Sequence, residues 1–119
     1  MDKKVEECTR ALIEAVRNSE EYQTFEKSKI KVEEYPELKR QTQVFRRRVF
    51  LMQNSDESID LLDEMNRLFV ARNELYQNAI IAEYLTAELR LCRMLQKISM
   101  EVVGVTDIEL ESFEDVIPI

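Results

Sequence analysis

The stretch NAIIAEYLTAELRLCRMLQKISMEVV, Asn78 to Val103, decides the fold. It is the longest uninterrupted helical signal in the chain, and its start and stop are both legible. The side-chain oxygen of Asn78 can accept a backbone N–H that the first helical turn leaves unpaired. Gly104 is the only glycine of the chain. It follows the last periodic residue, where a left-handed residue commonly ends a helix. Between these marks Ile81, Tyr84, Leu85, Leu91, Cys92, Leu95, Ile98 and Val102 recur at helical spacing. Ile80, Leu89, Met94 and Val103 widen the stripe, so the helix is expected to be covered on more than one side. It is read as the core helix, packed by the other helices and by a second subunit.

Working outward, the same logic places four shorter helices before it. The first spans about Asp2 to Arg17, with Val5, Cys8, Leu12 and Val16 in a stripe. Ser19 can cap a second helix, Glu20 to Glu34, whose first turn carries Glu20 and Glu21 where the helix dipole favours acids. Its apolar anchors are Tyr22, Phe25 and Val32. Pro36 disfavours helix at Tyr35 and suits the first position of a third helix, so a break or kink is expected there. That helix runs to about Gln53, with Leu38, Phe45, Val49 and Met52 inward and Val44, Phe50 and Leu51 off the stripe. Asn54-Ser55-Asp56 reads as a loop. A fourth helix, from near Glu57 to Tyr76, carries Ile59, Leu62, Met65, Phe69 and Tyr76 on one face and Leu61, Leu68 and Leu75 on a second. The expected class is all-α: an antiparallel helical bundle of four to five helices with a long C-terminal core helix.

The domain is expected to span 1–104, and 105–119 to form an acidic, flexible tail. In that tail Asp107, Glu109, Glu111, Glu114 and Asp115 alternate with Ile108, Leu110, Phe113, Val116 and Ile117. Two readings stand: a loosely ordered end, or a segment that orders on a partner.

Bulk composition narrows the function classes. The chain has 119 residues, 34% charged and 45% hydrophobic, which suits amphipathic helices in one domain. One glycine and two prolines leave little room for hairpins. A net charge of −7 argues against nonspecific nucleic-acid binding, while leaving room for a local basic patch. The charged start MDKKVEECTR has no apolar run after it, and no stretch approaches a membrane span, so a cytoplasmic location is expected. Cys8 and Cys92 read as small hydrophobes on apolar faces, and no disulfide is expected.

Chemistry is sparse. The chain has no histidine, which removes the commonest general base and metal ligand. One glycine cannot build a phosphate cradle, and two distant cysteines cannot complete a zinc site. No catalytic residue, cofactor or metal is expected, and the chain is read as not an enzyme. Arg46, Arg47 and Arg48, with Lys39 and Arg40 shortly before, either fan out to pair with local acids or form a basic ridge. Such a ridge would meet an acidic partner or RNA phosphates. Arg90 and Arg93 have Glu83 and Glu88 as local partners. The apolar excess of the last three helices points to self-association. The expected self-contact or core residues are Ile81, Tyr84, Leu85, Leu91, Leu95, Ile98, Val102, Leu61, Leu68 and Phe50. Arg46, Arg47, Arg48 and Phe113 are the expected contacts to other partners.

The punctuation VRNSEEY (16–22), YPELKRQ (35–41) and NAIIAEYLTAELRLCRMLQKI (78–98) resembles the YlbF/YmcA family of small helical bacterial proteins, over residues 4–104. Alanine rather than proline follows Asn78, and Tyr35 stands where a small polar cap is usual. Some members carry C-terminal cysteines that help hold iron–sulfur clusters; this tail has none, so no cluster is carried over. The resemblance implies a regulator that assembles with itself and with other proteins of a complex. Family members are implicated in competence, sporulation and biofilm control, and in directing ribonuclease Y. Two alternatives remain: an RNA-binding module using the basic ridge, and a small helical enzyme with an arginine clamp drawn from Arg46, Arg72, Arg90 and Arg93.

Overall fold

The computed structural model describes residues 1–54 and 60–107. Phe113 and the acidic segment beyond Asp107 therefore lie outside the described residues, as does Ile59. The described chain is all-α, with helices α1 (Lys3–Arg17), α2 (Glu20–Glu33), α3 (Pro36–Gln53), α4 (Leu61–Tyr76) and α5 (Ala79–Gly104).

The helix starts follow from their caps. The Asp2 carboxylate accepts the backbone N–H groups of Lys4 and Val5 at 2.9 and 3.2 Å, opening α1. The Ser19 hydroxyl accepts the Tyr22 N–H at 3.2 Å and donates to the Val16 carbonyl at 2.6 Å, closing one helix while opening the next. Asn78 Oδ1 accepts from Ile80 and Ile81 at 2.9 and 3.2 Å. Asn78→Ala should therefore cost about 1 kcal/mol, read as a lowered midpoint in thermal denaturation. Pro36 opens α3 after an extended Tyr35, which gives no side-chain cap. In compensation, Glu37 sits in the first turn and accepts a two-point contact from Arg40, the shorter arm at 2.7 Å. That hydrogen bond, and then the Arg40 charge, hold the Glu37 carboxyl below its ordinary range and raise the Arg40 guanidinium.

The end of α5 departs from the sequence expectation. Gly104 is the last helical residue, and its φ is not positive. The left-handed position falls instead on Asp107, at φ 57°. The turn between is held by Thr106, whose N–H and hydroxyl both donate to the Val103 carbonyl at 3.0 and 2.6 Å. The backbone at Gly104 is helical, and a Cβ placed there would meet only open space. Gly104→Ala should therefore be neutral or stabilise by up to about 1 kcal/mol. A clear loss in a denaturant titration would restore the need for glycine there. Helix α4 is described from Leu61, with Asp60 as its N-cap; the expected start near Glu57 and the expected loop at Ser55 and Asp56 lie outside the described residues.

The chain divides into two compact units. Residues 27–85 form one, holding the end of α2, the whole of α3 and α4, and the start of α5. Here α3 and α4 pack on one another. They run antiparallel: Arg48 near the end of α3 meets Glu64 near the start of α4 at 3.5 Å, while Arg40 and Leu75 line one cavity. Its buried side chains are Ser28, Val32, Thr42, Leu68 and Ile81. Thr42 is accommodated because its hydroxyl donates to the Leu38 carbonyl at 3.0 Å, the usual way a buried threonine satisfies itself in a helix. The other unit comprises α1, the first half of α2 and α5 from Thr86 onward. Ala87 and Leu91 are its buried apolar residues, Tyr22 and Phe25 are half-buried, and α1 buries none of its residues.

Candidate interaction surfaces

The site question turns on which apolar rows the single chain covers. On α4 the covered row is the one expected to be secondary. Leu68 is buried and Leu75 half-buried, whereas Leu62 and Phe69 are 70% and 60% exposed and Met65 is exposed beside them. Leu62, Met65 and Phe69 are spaced by three and four residues, so they lie along one side of the helix. Tyr76 continues that side, half-buried, with the Arg72 guanidinium 4.9 Å from its ring centroid. The reason is geometric: two apolar rows fit one helix, and only one can face α3. On α3 the expected division holds, with Leu38, Phe45, Val49 and Met52 half-buried and Val44, Phe50 and Leu51 exposed.

The expected contact residues separate in the same way. Ile81, Leu68 and Leu91 are buried, and Tyr84, Leu85 and Ile98 are half-buried. Leu95, Val102, Leu61 and Phe50 are exposed, so they are not core residues of the single chain. Leu95 and Val102 share a side of α5 with Ile98. In α1 the stripe Val5, Cys8 and Leu12 is exposed as well. A helix with this clean an apolar side and no buried residue is a second candidate surface.

The arginine run does not form one ridge. Arg46 lies over the Tyr84 ring, 5.3 Å from its centroid, and Arg48 reaches Glu64 at 3.5 Å. Arg47 is exposed between them. Consecutive helical residues point about 100° apart, so three adjacent guanidinium groups cannot share a face. Three arginines of the expected clamp, Arg46, Arg72 and Arg90, each have a separate partner. Arg72 stacks on Tyr76, and Arg90 approaches Glu21 at 4.0 Å. Neither described cavity is lined by more than one of them.

Among the described residues, the unit formed by residues 27–85 holds a larger and a smaller cavity. The larger, about 270 Å³ between α3 and α4, is lined by Arg40, Arg48 and Glu74 with Val44, Phe45 and Leu75 among the apolar groups. Both arginines already hold carboxylates, Glu37 and Glu64. The smaller, about 140 Å³, lies among α2, α3 and Tyr84 of α5. Lys29 and Tyr84 were not visible as neighbours of the arginine run in the sequence, because the contact crosses three helices. Among the described residues, no three His, Cys, Asp or Glu side chains are grouped to hold a metal ion. No described helix is long and apolar enough to cross a membrane.

Comparison with known proteins returns one family. The family described as Control of competence regulator ComK, YlbF/YmcA matches residues 5–104, which include all five helices apart from the first two residues of α1. No curated protein and no solved structure matches the chain.

Proposed function

The chain belongs to the YlbF/YmcA family, associated with control of the competence regulator ComK, and from that premise we propose that it is a non-enzymatic adaptor that regulates partners through protein–protein contacts. The observation that carries this reading is the row Leu62, Met65 and Phe69, left exposed on α4 although α4 packs on α3 and already buries Leu68. Contiguous exposed apolar surface on a folded domain usually marks a contact with another protein. Exposed Leu95 and Val102 on α5 add a second such row.

On this reading the chain first assembles with itself, as a homodimer or a higher oligomer in the cytoplasm. The assembly then joins other proteins of a regulatory complex. An RNA-processing ribonuclease complex and developmental control of competence, sporulation or biofilm formation are the settings that the family suggests. Direct nucleic-acid binding is not part of the proposal, since Arg46 and Arg48 are directed to different partners.

The test is affinity purification of the tagged chain from cells that carry its gene, beside a Leu62→Glu/Phe69→Glu variant. A defined set of proteins should accompany the wild type and be depleted with the variant, while both show the same helical content by circular dichroism. Identical sets for the two would remove α4 from the interface. Restored ribonuclease or competence phenotypes with the variant would contradict the adaptor reading directly.

A further inference from the structure

The smaller cavity has a charge opposite to that of the chain as a whole. Lys29, Lys39 and Arg46 line it against a single acid, Glu33, in a protein of net charge −7. Two of its lining residues are buried in the fold, Val32 and Thr42, both 3% exposed. Tyr84 closes one side, with the Arg46 guanidinium held near its ring at 5.3 Å. At about 140 Å³ it is well below the roughly 300–1,000 Å³ of typical cofactor or small-molecule sites. It has room for an acidic side chain with an apolar neighbour, and the surrounding cations favour a carboxylate.

The chain itself contains a segment of matching chemistry. Asp107, Glu109, Glu111, Glu114 and Asp115 supply five of the seven net negative charges, and no basic residue occurs from Val105 to the end. Leu110 and Phe113 interleave with them. We propose that the cavity lined by Lys29, Lys39 and Arg46 is a socket for the acidic segment 107–117 of a second copy of the chain. This rests on the self-assembly reading above. Each copy then offers one socket and one segment, and the three cations offset part of the acidic charge that would otherwise repel across the assembly. RNA fits less well, because backbone tracking needs a continuous basic groove with aromatic platforms. Here one tyrosine, three cations and the Glu33 carboxylate line a small, partly open cavity.

The experiment mixes full-length protein grown on light and heavy nitrogen, allows exchange of subunits, and treats it with a zero-length carbodiimide cross-linker. Peptides joining Lys29 or Lys39 to Glu111, Glu114 or Asp115 should appear as light–heavy pairs. Pairs of one isotope only would overturn docking between copies, and an absence of such pairs would overturn the socket. A second measurement covers loss of cross-linkable groups. A labelled peptide of residues 105–119 is titrated into full-length protein whose five tail acids are replaced by their amides. It should bind saturably, more weakly as salt rises, and roughly tenfold more weakly when Lys29→Glu and Lys39→Glu are added. Equal binding by both proteins would overturn the proposal. So would a single-stranded RNA probe that depends on these lysines while the peptide shows no binding. Light scattering on the same samples separates the two ideas: an intact oligomer that fails to bind the peptide ends the socket alone.

Discussion

Ile81→Asp is expected to abolish the folded state. Ile81 is 1% exposed, the one fully buried large side chain among the described residues, at the start of α5. An aspartate there would bury a charge with no cation assigned to it. That penalty is on the order of 4 kcal/mol or more, a large part of the roughly 5–15 kcal/mol that holds a domain together. Circular dichroism should show a broad, low-temperature transition or none. Ile81→Val, which removes one methylene, should cost only about 1 kcal/mol. If the aspartate variant melted like the wild type, the packing assigned to residues 27–85 would be wrong.

Leu95→Asp gives the contrast. From periodicity alone, Leu95 reads as a core position whose replacement by a charge costs several kcal/mol. In the single chain it is 42% exposed, so a carboxylate there keeps much of its water. Any large loss on Leu95→Asp must then come through a partner, and should deepen with protein concentration.

The second large effect belongs to α4. Leu62→Glu/Phe69→Glu should leave the α3–α4 packing intact, since both side chains are largely exposed and buried Leu68 points about a quarter-turn away from them. It should nevertheless split the oligomer, because two charges would enter an apolar contact. Interface positions of this kind, central and apolar, cost about 2 kcal/mol or more each when lost, equivalent to well over a hundredfold in association for the pair. Sedimentation of the variant should shift to the monomer at concentrations where the wild type is assembled. A variant that stays assembled would move the self-contact elsewhere, with the exposed sides of α1 and α5 next in line.

The helix starts were legible because they are written in local chemistry. Ser19, Pro36 and Asn78 act on backbone groups within four residues of themselves, and nothing distant competes with them. Gly104 shows the limit of the same reasoning. Glycine permits a left-handed residue without requiring one, and here the helix continues through it until Thr106 turns the chain. Choosing between the two rows of α4 needed tertiary information. Leu62, Met65 and Phe69 are as apolar as Leu61, Leu68 and Leu75, so periodicity yields two stripes and no indication of which meets α3. The cation-lined cavity was hidden for another reason. Lys29, Lys39, Arg46 and Tyr84 come from three helices, and only the packing makes them neighbours. Thr42 was passed over because a polar residue on an inward side carries no hydrophobic signal, although its bond to the Leu38 carbonyl lets it be buried.

Self-assembly is the central claim, and the mass of the full-length protein in solution tests it most directly. Light scattering over a wide range of concentrations should give a multiple of the 14.2 kDa chain, stable on dilution into the micromolar range. A mass of one chain at every concentration would contradict the account. The exposed rows on α4 and α5 would then belong to contacts with a different protein.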